Sequence, residues 1–136
     1  MYQIAERLYL VDLPGYGYAR ASKSERSRFA KLIETYLRTR ESLSGVVWLL
    51  DVRRNPSAAD LALGDKLAGW EIPVLVAITK GDKFGRAKRS ERIRSILGEI
   101  GLPEDQAVMT SAVTKEGIED LQEAILALAG EVRSRW

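Results

Sequence analysis

The sequence contains no cysteine and no histidine. The first absence removes disulfides, thiolate nucleophiles and cysteine-ligated zinc. The second removes imidazole bases, Ser-His-Asp triads and histidine-held metals. Only 7% of the residues are aromatic, and no apolar run is long enough to span a bilayer. The amino-terminal residues have neither the basic segment nor the apolar stretch of a leader, so a soluble, cytoplasmic protein is expected. Chemistry must come from carboxylates, lysine, arginine, hydroxyls, backbone amides or a bound ion.

What is present suits one globular domain covering residues 1–136. Apolar residues make up 46% and charged residues 29%, and the formal net charge is +2. So mild a charge selects no class of partner.

Four apolar segments, at residues 8–11, 46–50, 74–78 and 107–109, predict strands. The second and third are unbroken and rich in Val and Leu, like strands buried on both faces of a parallel sheet. A helical pattern follows each. Residues 24–39 put Phe29, Leu32, Ile33, Tyr36 and Leu37 on one face. A second helix starts at Ser57, with Asp60 three residues on as a capping partner, and ends near Gly69. A third spans about residues 88–98, with Ile93, Ile96, Leu97 and Ile100 inward, and stops at Gly98 or Gly101 before Pro103. A fourth starts near Gly117 and carries Ile118, Leu121, Ile125 and Leu128. Strand–helix alternation repeated four times predicts an α/β fold of three layers: a mostly parallel sheet with helices on both faces. Ligands bind such sheets at the carboxyl ends of the strands.

Polar residues gather at those ends. Asp12 and Gly15 follow the first strand, Asp51 to Pro56 the second, Thr79, Lys80, Gly81 and Asp82 the third, and Ser111 and Ala112 the fourth. Singly, each has an ordinary explanation as a turn or cap residue. Jointly they suit a guanine nucleotide. Guanine presents N1–H and the 2-amino group as adjacent donors, and one carboxylate, Asp82, accepts both in a charge-assisted pair. Adenine has no matching donor pair and would leave that carboxylate poorly satisfied. The Lys80 stem can lie along the base, and backbone N–H groups at Ser111 and Ala112 can donate to O6. Asp12 can hold Mg²⁺, and the amide of Gly15 can approach a terminal phosphate.

With these residues assembled, the chain resembles the EngB (YsxC/YihA) family of bacterial ribosome-assembly GTPases. The resemblance rests on the run D-L-P-G-Y-G-Y-A at residues 12–19, with D-V-R-R-N-P at 51–56, T-K-G-D-K at 79–83 and S-A-V-T-K at 111–115. It implies GTP or GDP with Mg²⁺ as ligands, the large ribosomal subunit or its rRNA as partner, and a role in ribosome assembly and cell division.

One element of that family is not found in these residues. No G-x-x-x-x-G-K-[S/T] occurs; Gly64 and Gly69 have the glycine spacing, but Trp70 and Glu71 follow. The resemblance therefore implies the carboxyl-terminal two-thirds of a P-loop G domain, beginning within its second strand. The family's first strand, phosphate loop and switch I would lie upstream of Met1. Without them, nucleotide affinity is expected to be about millimolar or weaker. Tyr16 follows Gly15 where a water-orienting Gln would be useful, so no catalytic residue is assigned and GTP hydrolysis by this chain alone is not expected. A nucleotide-independent remnant that binds rRNA or protein is the alternative. The gap left by the first strand would expose sheet edges and invite self-association. Basic residues concentrate in segments 20–40 and 80–94, as solvated helix faces or as contacts for rRNA phosphates.

Overall fold

The computed structural model describes residues 2–5, 8–10, 23–41 and 43–133, with side chains for residue 28 and for residues 31–41 and 43–129. The chain divides into two compact units, Met1–Leu43 and Ser44–Trp136.

In the first unit, β1 (Tyr2–Ala5) pairs antiparallel with β2 (Leu8–Leu10), Tyr2 opposite Leu10 and Ala5 opposite Leu8, with an irregularity between Gln3 and Ala5. Strand β1 escapes a periodicity search because four residues hold too little alternation to read. Helix α1 (Lys23–Thr39) matches the predicted span to within a residue. Ile33 and Leu37, one turn apart, are buried, whereas Leu32 is 56% exposed. The buried stripe is thus narrower than the apolar face in the sequence. The side chain of Phe29 lies outside the described set.

The second unit alternates strands and helices: β3 (Val46–Asp51), α2 (Ala58–Gly69), β4 (Val74–Thr79), α3 (Arg86–Ile100), β5 (Ala107–Met109) and α4 (Ile118–Arg133). The strands form a parallel sheet in the order β3–β4–β5, running from Val46 opposite Val74 to Asp51 opposite Thr79, and from Val76 opposite Ala107 to Ile78 opposite Met109. Both crossovers step in the same direction. Right-handed crossovers, the rule for parallel strands, would put α2 and α3 on one face, and these two helices do pack together; α4 packs on β4.

Strand β4 is the centre of the core: Leu75, Val76, Ala77 and Ile78 are all buried. Fully burying one such side chain contributes roughly 1.5–3 kcal/mol. Strand β3 departs from the two-sided burial that its composition predicts. Trp48 is in the core, against Gly64 of α2, but Leu49 is 64% exposed. The physical reason is position: β3 has no strand beyond it among the described residues.

Helix ends follow local chemistry. Ser57 caps α2 reciprocally: its hydroxyl accepts from the Asp60 amide at 3.1 Å, and the Asp60 carboxylate accepts from the Ser57 amide at 2.8 Å. Helix α3 begins two residues earlier than predicted and runs through Gly98. It ends at Gly101, whose φ of 78° turns the chain in the left-handed region. Gly64 and Gly69 both lie inside α2, so that spacing marks a helix and not a phosphate loop. No helix among the described residues is long and apolar enough to cross a membrane.

Candidate functional site

Parallel strands bring the ends of β3, β4 and β5 to one edge of the sheet, and the loops leaving them are tied to one another. After β4, Lys80 adopts a left-handed backbone (φ 61°, ψ 34°), and residues 81–83 form a single 3-10 turn. A non-glycine residue held there costs of order 1–3 kcal/mol unless its surroundings fix it. Two contacts do so. The Lys80 ammonium lies 3.4 Å from Asp51 Oδ2 at the end of β3, and the next amide, Gly81 N–H, donates to the Thr110 carbonyl at 3.0 Å.

Asp82 points toward the loop after β5. Its Oδ1 accepts from the Ser111 hydroxyl at 2.7 Å, and Ser111 Oγ in turn accepts from the Thr114 amide at 3.1 Å. Ser111 is fully buried, so this pair fixes the position of the carboxylate. The Asp82 carboxyl is held below its ordinary value, first by the Ser111 hydrogen bond, against the opposing effect of burial, and then by its own backbone amide and the fields of Lys83 and Arg53. Its Oδ2 is 3.9 Å from the Lys83 ammonium, too far for a hydrogen bond. The group is ionised at neutral pH, and its Oδ2 takes no side-chain hydrogen bond among the described contacts. Those are the properties a carboxylate needs to accept two N–H donors from a planar ring.

The remaining sequence-predicted residues divide cleanly. Thr79 ends β4 opposite Asp51; its carbonyl accepts from the Val52 amide at 3.0 Å, and its hydroxyl reaches the Leu50 carbonyl at 3.4 Å. It positions the loop. Thr79, Lys80, Asp82, Ser111 and Ala112 thus share one edge of the sheet. The Ser111 amide donates to the Glu116 carbonyl at 3.0 Å, so of that pair only the amide of the exposed residue Ala112 makes no such bond among the described contacts. Asp12 and Gly15 lie outside the described residues. Among the described residues there is no cluster of three His, Cys, Asp or Glu side chains placed to hold a metal ion.

Sequence reasoning gave no role to Asp51, Arg53 or Arg92. The Asp51 carboxylate takes the Arg53 side chain in a fork, Nε at 3.1 Å and NH2 at 2.8 Å, and also accepts the Arg53 amide at 2.9 Å. Arg92 of α3 clamps the same loop, donating to the Val52 carbonyl at 3.0 Å and the Asn55 side chain at 2.9 Å. The signal for the first was a D-x-R at a strand end, where residues i and i+2 can form a bidentate pair. Several cations of the 80–94 segment are paired with carboxylates: Lys80 with Asp51, Arg89 with Glu116 at 3.2 Å and, on the exposed surface, Arg94 with Glu104 at 3.3 Å.

The Asp51 carboxyl is held well below the usual carboxylate range, chiefly by the Arg53 hydrogen bonds and against the opposing effect of burial. Its folded value lies below its unfolded one. The stability it supplies is complete above the unfolded value of about 4 and drains away as pH falls through the folded value. Acid unfolding followed by circular dichroism is expected to show this loss below about pH 4, with a shallower slope in Asp51→Asn. Equal slopes would remove Asp51 from the acid response.

No protein-family model matches the chain. Among curated proteins it is 44% identical over 127 residues to the probable GTP-binding protein EngB of Syntrophomonas wolfei, a match covering 93% of this chain and 65% of that protein. It is 42% identical over 126 residues to the probable GTP-binding protein EngB of Streptococcus pneumoniae strain Hungary19A-6, covering 92% and 65%. The chain therefore spans 65% of the length of these relatives. Among solved structures, a probable GTP-binding protein EngB superposes with a TM-score of 0.78 at 21% identity, covering 88% of this chain and 75% of that one. The FeoB G-domain from Methanococcus jannaschii gives 0.58 at 25% identity, covering 88% and 70%.

Proposed function

This chain belongs to the EngB family and has the P-loop GTPase fold, and we propose that its strand-end loops form the guanine-reading half of a nucleotide site. The observation that carries the reading is the ionised Asp82 carboxylate, seated by the buried Ser111 hydroxyl beside a left-handed Lys80. In this reading Asp82 accepts N1–H and the 2-amino group, the Lys80 stem covers the ring, and the Ala112 amide donates to O6. Thr79 and Ser111 hold these groups in place.

GTP or GDP is the ligand; the Mg²⁺ and phosphate roles read from the sequence for Asp12 and Gly15 fall on residues outside those described. The residues present contain no G-x-x-x-x-G-K-[S/T]. Affinity therefore rests on the base and is about millimolar or weaker, and this chain alone does not hydrolyse GTP. The role of the whole protein is assembly of the large ribosomal subunit in the cytoplasm, with its consequence for cell division. The open edge of β3 favours self-association.

A nuclear magnetic resonance titration with GMP, and AMP as reference, tests the base-reading role. Amide shifts at Lys80, Gly81, Asp82, Ser111 and Ala112 are expected with GMP at concentrations up to about 10 mM, and not with AMP. Equal responses to both nucleotides would overturn base recognition. No response to either would overturn nucleotide binding and favour the nucleotide-independent alternative.

A further inference from the structure

Resting on that reading of Asp82, we propose that Asp51 determines specificity by position: it occupies the Arg53 guanidinium and the Lys80 ammonium and so keeps the Asp82 carboxylate open to the paired N–H donors of a guanine ring. Asp51 itself touches no ligand. It acts by holding cations that would otherwise close the site.

Lys83 and Arg53 act on the Asp82 carboxylate through their charge, and a third cation, Lys80, precedes it in the same loop. Lys83 stands 3.9 Å from Oδ2 and makes no hydrogen bond. Lys80, two residues before Asp82, turns its ammonium to Asp51 at 3.4 Å instead. Arg53 is the competitor whose planar fork matches a carboxylate. Its fork grips the Asp51 carboxylate at 3.1 and 2.8 Å, yet Asp82 also feels its charge. Its side chain is 40% exposed and has room to move.

The competition follows from geometry. A guanidinium fork and the N1–H/2-amino edge of guanine are both planar donor pairs that seek the in-plane lone pairs of one carboxylate. With Asp51 neutralised, the Arg53 fork loses its charged partner, and Asp82 is the carboxylate whose field it already occupies. An Arg53–Asp82 pair would then satisfy both groups without a ligand. Asp51 prevents this by being the better partner: it lies two residues from Arg53, accepts the Arg53 backbone amide as well at 2.9 Å, and is held by the pairing of β3 with β4.

The experiment is the GMP titration repeated on variants of the whole chain. If Arg53 closes Asp82 in about nine molecules of ten, Asp51→Asn weakens GMP binding about tenfold. Removing the competing cation in the same chain, as Asp51→Asn with Arg53→Met, restores the affinity. Arg53→Met with Asp51 intact leaves it unchanged, a test that does not depend on the folding of Asp51→Asn.

Restoration is the outcome a merely structural role for Asp51 would not produce. The proposal is overturned if Asp51→Asn binds GMP as tightly as the unsubstituted chain, or if the double variant stays as weak as the single one. It is equally overturned if Arg53→Met alone loses affinity, since Arg53 would then be a ligand contact. Silence of the unsubstituted chain toward GMP sinks the guanine reading instead, so the two failures are distinct.

Discussion

Asp82→Asn is expected to abolish the response to GMP and to create one to xanthosine monophosphate. An asparagine amide has one acceptor and one donor edge, so it accepts guanine N1–H but turns its own N–H toward the 2-amino group. Two donors then face each other, and the exchange costs about 10²-fold or more in affinity. Xanthine carries a carbonyl at that carbon, which accepts what the asparagine donates. The carbonyl of the introduced amide can still take the Ser111 hydroxyl, which sits 2.7 Å from the Asp82 carboxylate, so the loop is expected to keep its place. The check is the ratio of GMP to xanthosine monophosphate affinity, with the thermal midpoint as a control for folding. An unchanged ratio would take Asp82 out of base recognition.

Gly117→Ala is expected to be the most damaging small substitution in this part of the chain. Gly117 has φ of 77°, and a Cβ there would run into the Met109 carbonyl oxygen and lie 3.0 Å from its carbon, a fixed part of the end of β5. A backbone atom cannot swing aside as the end of a side chain can. The left-handed penalty and the displacement of β5 together cost about 3 kcal/mol. Gly101 provides the internal comparison. Its φ is 78°, but a Cβ there would meet nothing within 4 Å, so Gly101→Ala should cost only about 1 kcal/mol. Urea unfolding of the two variants separates the terms. Similar losses in both would mean that the Met109 contact relaxes freely. Because the β5–α4 loop carries Ser111 and Ala112, the Gly117 variant should also weaken the GMP response at temperatures where it remains folded.

The readable parts of this protein were those set by local chemistry. The Ser57–Asp60 capping pair, the Gly101 stop and the unbroken run in β4 are legible because each depends on neighbours in sequence. The T-K-x-D and Ser-Ala residues were legible because parallel strands must deliver their ends to one edge. What could not be read depended on partners far along the chain. Nothing local in V-V-W-L-L says that Leu49 is uncovered; that follows from which strand is outermost. The Asp51–Lys80 bridge joins residues 29 apart in sequence, and the Arg92 clamp spans 40 residues to Val52. A basic helix read by charge alone looks available for phosphates, whereas Arg89 and Arg94 already have carboxylates. Charge counts cannot distinguish a free cation from a paired one.

The ties among the loops also set the thermodynamic character of ligand capture. Ser111 grips Asp82, Gly81 is tied to Thr110, and Lys80 is moored to Asp51, each by contacts within the chain itself. A template already rigid loses little entropy on receiving a flat ring, so the few contacts it makes are collected almost in full. Calorimetry with guanosine and with GMP should then show a small entropic penalty, the signature of a fragment site whose strength scales with whatever is tethered beside it.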